Sequence, residues 1–132
     1  MEKRSTATTP EDPTVAERGW EGLRVWWLVD RASTGSADVV FNMTEFSPGK
    51  THGLHRHPNA EEVLYVLEGE GVHLSEGEPV RQRAGEVVFI PRGEWHGFAN
   101  DSDGATTVIA VFGGVGSYEE AGYEDKEDVE TG

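Results

Sequence analysis

Two short stretches of this chain bring three histidines and one glutamate to spacings that suit a single metal ion. The first runs from Gly49 through His52, His55, His57 and the pair Glu61 and Glu62 to Gly69; the second runs from Gly85 through Pro91, Gly93 and His96 to Asn100. His55 and His57 are two apart, so on an extended segment both side chains leave the same face, about 7 Å apart along the chain. Glu62 follows a turn through Pro58, Asn59 and Ala60, and His96 has to be brought in by the fold. Neutral imidazoles with one carboxylate are moderately hard donors, suited to one Fe(II), Mn(II), Ni(II), Co(II) or Zn(II) ion. Coordination positions left over on such an ion hold a substrate or O₂ against a Lewis acid.

The elements that must position these groups are short strands. Runs rich in β-branched and aromatic residues, separated by glycine-bearing turns, predict strands at Leu23–Asp30, Ala37–Phe46, Glu62–Leu67, Gly71–Leu74, Val80–Arg83, Val87–Ile90, His96–Ala99 and Thr106–Phe112. The only helical turn expected is a weak one at Ser117–Tyr123. About eight short strands without a long helical period point to an all-β sandwich or barrel closed against edge exposure. Alternation puts Glu62 on one face with Leu64 and Val66, and His96 with Phe98. A polar group on an apolar interior face needs a partner, since leaving it unpaired costs on the order of 1–3 kcal/mol; one metal ion satisfies several such groups together.

Length and composition set outer limits. At 132 residues the chain makes one domain with one core. The absence of cysteine excludes disulfides, thiolate zinc sites, iron–sulfur clusters and a cysteine nucleophile, and fits a cytoplasmic location. No apolar run reaches the roughly 20 residues of a membrane span, and no apolar segment follows the basic residues of the start, so neither membrane insertion nor a secretory signal is expected. The formal charge of −14 argues against nucleic acid as a partner. Much of that charge lies in residues 117–132, where seven acids face Lys126 alone. Residues 115–132 therefore read as an unfolded acidic tail, and residues 1–18, rich in Thr, Pro and charge, as a disordered lead-in to a domain over 19–114.

The two stretches resemble the paired motifs of the cupin superfamily. Gly49, His55, His57, Glu62 and Gly69 fill the first motif, and Gly85, Pro91, Gly93, His96 and Asn100 fill the second. The fifteen residues between the motifs resemble the compact microbial members, and the resemblance covers roughly residues 23–113. It implies a double-stranded β-helix, or jelly roll, with a metal near its wider mouth, and frequent homodimerisation. Carried over position by position, the ligands are His55, His57, Glu62 and His96. Glu61 is the rival carboxylate, but only Glu62 keeps the six-residue distance to Gly69 and shares a face with Leu64 and Val66. Cupins that have lost their ligands offer the alternative of no metal; here every ligand position is retained.

Other residues remain open. His52 is a candidate proton carrier at the cavity mouth, a further ligand or an ordinary loop histidine; a spacing of three from His55 does not keep a face in an extended chain, which favours the loop. His73, alternating with Val72 and Leu74, reads as a polar surface residue. Of Trp26 and Trp27, one faces in and one out, the outward one available to a dimer interface. Arg24 shares a face with Trp26 and meets either an anionic substrate or a rim ion pair, while Tyr65 and Trp95 read as packing residues.

Two enzyme classes follow for a small polar organic substrate. A redox metal beside O₂ gives a dioxygenase-like oxidoreductase; a metal that only polarises a carbonyl gives an isomerase, cyclase or decarboxylase and needs a protein acid or base. With few proton carriers in view, the first is favoured. The third reading is a non-catalytic binding protein for a small sugar or carboxylate.

Overall fold

Inward and outward residues alternate along each run, and the inward set is what closes the barrel. The computed structural model describes residues 1–131, with side chains through Val129. One antiparallel sheet has the order β1 (Leu23–Val29), β2 (Val39–Phe46), β9 (Thr106–Gly113), β4 (Glu61–Glu68), β7 (Val87–Ile90). The second has the order β10 (Glu124–Asp125), β3 (Thr51–Arg56), β8 (His96–Ala99), β5 (Glu70–Leu74), β6 (Val80–Arg83). Non-consecutive neighbours, such as β2 beside β9 and β3 beside β8, wind the two sheets into the expected jelly roll. From the first sheet Val25, Val40, Phe46, Leu64, Val66, Val108, Ala110 and Phe112 pack inward, and Phe98 meets them from the second. Between the sheets of such a sandwich an alternating strand hides every other residue, which is why the buried positions of β2 and β9 fall strictly two apart.

Eight strands lie where the sequence places them, within a residue or two. The strand at Thr51–Arg56 was not expected, because Thr-His-Gly-Leu-His-Arg has a single β-branched residue, no Phe, Tyr or Trp, and a glycine inside. It forms because β8 offers it a pairing edge. A short helix, α1 (Arg31–Thr34), fills the expected turn after β1, capped by Asp30.

Two residues of the motifs are architectural. Gly69 has φ of 84°, and a Cβ there would sit 2.6 Å from Thr106 Oγ1, so only glycine makes the turn from β4 to β5. Asn100 is 1% exposed. Its Nδ2 donates to the carbonyls of Phe46 at 3.0 Å, Ser47 at 3.3 Å and Gly104 at 2.8 Å, and its Oδ1 accepts from the Ser102 amide at 3.0 Å. One side chain thus ties the end of β2 to the loop between β8 and β9.

Parts of both flanks among the described residues pack on the barrel, unlike the unfolded lead-in and tail expected from composition. The Asp12 amide donates to the Val25 carbonyl at 2.7 Å, and Asp12 Oδ2 accepts from Trp27 Nε1 at 2.9 Å. Beyond β9, Val115, Tyr118 and Ala121 are buried, the last two on helix α2 (Tyr118–Ala121), whose N-cap is Ser117. β10 then pairs with β3, and α3 (Lys126–Thr131) follows. Charge counting missed this because the acids find partners: Glu120 pairs with Arg31, and Glu124 lies 2.6 Å from Arg56. The remainder of the expected tail, from the side chain of Glu130 to Gly132, lies outside the described residues.

Replacing Asn100 by Ala leaves three carbonyls and an amide without this partner, so it should cost about 2–4 kcal/mol. Urea unfolding of the variant against wild type reads the loss directly.

Candidate metal centre

His55 is on β3, His57 lies just beyond its end, Glu62 is on β4 and His96 opens β8. One ring nitrogen from each of His55, His57 and His96 lies within 4.8 Å of the other two. Glu62 Oε1 is 2.9 Å from His96 Nε2 and 3.6 Å from His57 Nε2. All four residues are buried, whereas Glu61 is exposed. The four come together from both sheets, three imidazoles on one side and the carboxylate from the other.

Each imidazole is oriented by a main-chain carbonyl. His55 Nδ1 meets Gly53 O at 2.7 Å, His57 Nδ1 meets Gly122 O at 2.8 Å, and His96 Nδ1 meets Glu94 O at 2.9 Å. A carbonyl only accepts, so each Nδ1 carries the hydrogen and each Nε2 keeps its lone pair, the arrangement that prepares histidine for a metal. Glu62 Oε1 and His96 Nε2 are buried and, though 2.9 Å apart, are not hydrogen-bonded to each other or to any other described residue. With His96 neutral, two lone pairs face each other there, and either a proton on His96, which Glu62 favours, or a cation between them removes the repulsion. The donor set and its orphaned atoms therefore fit a divalent ion.

The space around this centre is mostly apolar. Trp20, Leu23, Val25, Trp27, Phe46, Leu64, Phe98, Val108 and Phe112 are among its walls, with Asn42, Thr44, His52 and His73 as polar members. No lysine or arginine lines it among the described residues. Water centres have about 60 Å³ to occupy, enough for on the order of four waters or one small acid.

His52 lines this cavity, contrary to the loop position that spacing favoured. Pairing between β3 and β8 runs His52 with Phe98 but His55 with His96, so β3 carries one extra residue between them. That bulge restores the shared face, and the two rings stack at 4.0 Å. Gly97 permits it, since a Cβ there would lie 2.6 Å from the His52 carbonyl. His52 Nε2 is 3.2 Å from the Tyr123 hydroxyl. Burial pushes the His52 imidazole down to about 4, so at neutral pH the ring is uncharged and a weak base whose polar atoms serve as hydrogen-bonding groups.

The reading of His73 as a surface residue is also corrected: it is 4% exposed and lines the cavity, with Val72 and Leu74 facing outward. Its partner Gln82, buried on β6, has no sequence signal linking it to β5. Trp27 is the inward tryptophan and Trp26 the outward one, covered in part by Arg24 at 4.9 Å. Arg24 ion-pairs with Glu11 at 2.8 Å on the outside and does not reach the cavity. Tyr65 is exposed rather than packed, and Trp95 lies between Arg56 and Lys126.

Comparison with known proteins places the chain. A cupin-domain family model matches residues 42–112, and the chain belongs to the cupin family. It is 31% identical over 111 residues to the oxalate-binding protein of Thermotoga maritima, covering 84% of this chain and 92% of that protein. A structure from the same organism, described as a predicted oxalate decarboxylase, superposes with a TM-score of 0.75 at 25% identity, covering 86% of this chain and 100% of the other. The polyketide cyclase RemF from Streptomyces resistomycificus superposes with a TM-score of 0.73 at 26% identity, covering 92% and 89%.

Burial holds His52, His55, His57 and His73 below the ordinary imidazole value. Such groups take up protons on unfolding, so their contribution to stability is present above 6.5 and lost as pH falls toward about 4. Glu62 acts in the same direction: burial alone would raise it, but the His96 contact and neighbouring imidazoles hold it down. His96 opposes them: burial lowers it, Glu62 more than reverses that, and its contribution fades as pH rises through the raised value. Chelator-treated protein should therefore melt at progressively lower temperature as pH is taken from 7 to 4. A melting temperature that is flat or rising on acidification would contradict the assigned burial of these rings.

Proposed function

We propose that the chain binds a small oxygen-rich organic acid on one divalent transition-metal ion, held by His55, His57, His96 and Glu62, and turns it over. One observation carries this reading: four buried polar side chains converge in a small cavity that no lysine or arginine lines among the described residues. An anion in such a place has no other source of positive charge, and its desolvation would otherwise go uncompensated. The names of the relatives, an oxalate-binding protein and a predicted oxalate decarboxylase, agree with a ligand of this size and charge.

When bound, the ion supplies Lewis acidity and, if redox-active, a site for O₂. The protein's own residues do the rest. The apolar wall excludes water, Trp20 and Tyr123 flank His52, and the uncharged His52 ring offers a hydrogen-bonding group at the cavity wall. A dioxygenase-like oxidoreductase was favoured on the scarcity of proton carriers, and that argument weakens with His52 and His73 both at the wall. Metal-assisted proton transfer, as in an isomerase, cyclase or decarboxylase, stands beside it as the second reading, because two further imidazoles lie at the wall. A binding protein without turnover is the outcome if no substrate is consumed.

A cytoplasmic homodimer is part of the proposal. β7 is the edge of its sheet, and Val87 and Phe89 on it, with Tyr65 and Leu67 on β4, are exposed apolar residues. An edge strand with such a face pairs readily with a second copy. Phe89→Glu should shift the protein to monomer in light scattering; wild type that is already monomeric at micromolar concentration would refute the interface.

Protein purified without added metal should hold close to one equivalent of a divalent transition metal by elemental analysis, and His57→Ala should hold far less. Wild type well under one equivalent and unchanged in the variant would sink the centre. With metal content known, O₂ uptake and CO₂ release on a panel of small mono- and dicarboxylic acids separate oxidation, decarboxylation and simple binding.

A further inference from the structure

Three buried side-chain atoms have no hydrogen-bond partner among the described residues: Glu62 Oε1, His96 Nε2 and His73 Nδ1. The first two face each other at the metal centre. The third belongs to no group of donors gathered there, and its chemistry is fixed from outside the cavity by Gln82.

Gln82 is 1% exposed. Its Nε2 donates to the Leu64 carbonyl at 2.9 Å and to the Glu86 carbonyl at 2.7 Å, which uses both amide hydrogens. Its Oε1 is then left facing His73 Nε2 at 2.5 Å. An amide oxygen only accepts, so His73 Nε2 carries the hydrogen. Burial lowers the pKa of His73, the ring is neutral, and Nδ1 presents a bare lone pair. No main-chain amide or side chain of the described residues donates to it. An acceptor left in this state costs on the order of 1–3 kcal/mol, a cost that a ligand bearing a donor would recover. His73 is a wall residue of the same cavity as the four expected metal donors.

We infer that His73 Nδ1 accepts a hydrogen bond from a hydroxyl of the bound acid, so that the cavity selects hydroxy acids or enols over acids that carry no donor. This rests on the chelation reading above and adds to it the substrate class. His73 is a specificity residue here, set in its tautomer by Gln82, and Phe98, edge-on at 5.1 Å, steadies the ring.

The test uses zinc-loaded full-length protein with L- or D-lactate and pyruvate as probes, acids of the same size that both chelate and differ in hydroxyl against carbonyl. Calorimetry should give at least one lactate enantiomer about tenfold tighter than pyruvate. His73→Phe should erase that preference while leaving zinc content and pyruvate affinity unchanged. His73→Asn, which keeps an amide group near the place of Nδ1, should restore part of it and guards against a Phe variant that folds badly. Long-range proton–nitrogen correlation on labelled protein should place the His73 hydrogen on Nε2 at neutral pH. Equal affinity for the acids with full zinc occupancy overturns this inference and leaves chelation standing. Binding of none of them to zinc-loaded protein overturns both. A hydrogen on Nδ1, or loss of zinc together with the preference in both variants, refutes the assigned role.

Discussion

An imidazole buried in an apolar interior must give its N–H to one partner and leave its lone pair to another. At the centre of this barrel three histidines solve the first half alike, each handing its Nδ1 hydrogen to a main-chain carbonyl, of Gly53, Glu94 or Gly122. The second half is left open toward Glu62. The arrangement repeats at His73 with a side-chain amide in place of the main chain. Four rings in one small space are thereby set in defined tautomers before any ligand arrives, and this preset pattern of lone pairs gives the cavity its chemistry.

The sheets have unequal roles around that pattern. The sheet containing β3, β8 and β5 contributes His52, His55, His96 and His73, all imidazole. The sheet containing β2, β9 and β4 contributes Glu62, the Asn42 and Thr44 pair and most of the apolar wall. Because the carboxylate and the rings sit on opposite sheets, a cation shared between them would also brace the sandwich across its interior. Among the described residues Glu62 is the one carboxylate that lines the cavity.

That His55, His57, Glu62 and His96 come together was legible from the spacing of the two motifs and, for Glu62, from strand alternation, both properties of the linear chain. Glu62 over Glu61 was decided by a face shared with Leu64 and Val66, and that face is buried. What was not legible depended on pairing between distant segments. His52 needs a bulge that exists only in the register of β3 against β8. His73 needs Gln82, nine residues on and across a hairpin, to make an inward polar residue tolerable. The strand at Thr51–Arg56 has poor intrinsic preference and is imposed by its neighbour, and the acidic residues after 115 looked unfoldable only while Arg31 and Arg56 were out of view.

The carbonyl of Gly122 orients the His57 ring from far along the chain. It comes 65 positions after the His57 ring it holds, and the stretch carrying it is anchored by Asn59, whose amide donates to Ala121 O at 3.0 Å, and by β10. During synthesis all four donors therefore leave the ribosome before the group that orients one of them. A chain ending short of Gly122 would carry His55, His57, Glu62 and His96 yet lack the carbonyl that holds the His57 ring.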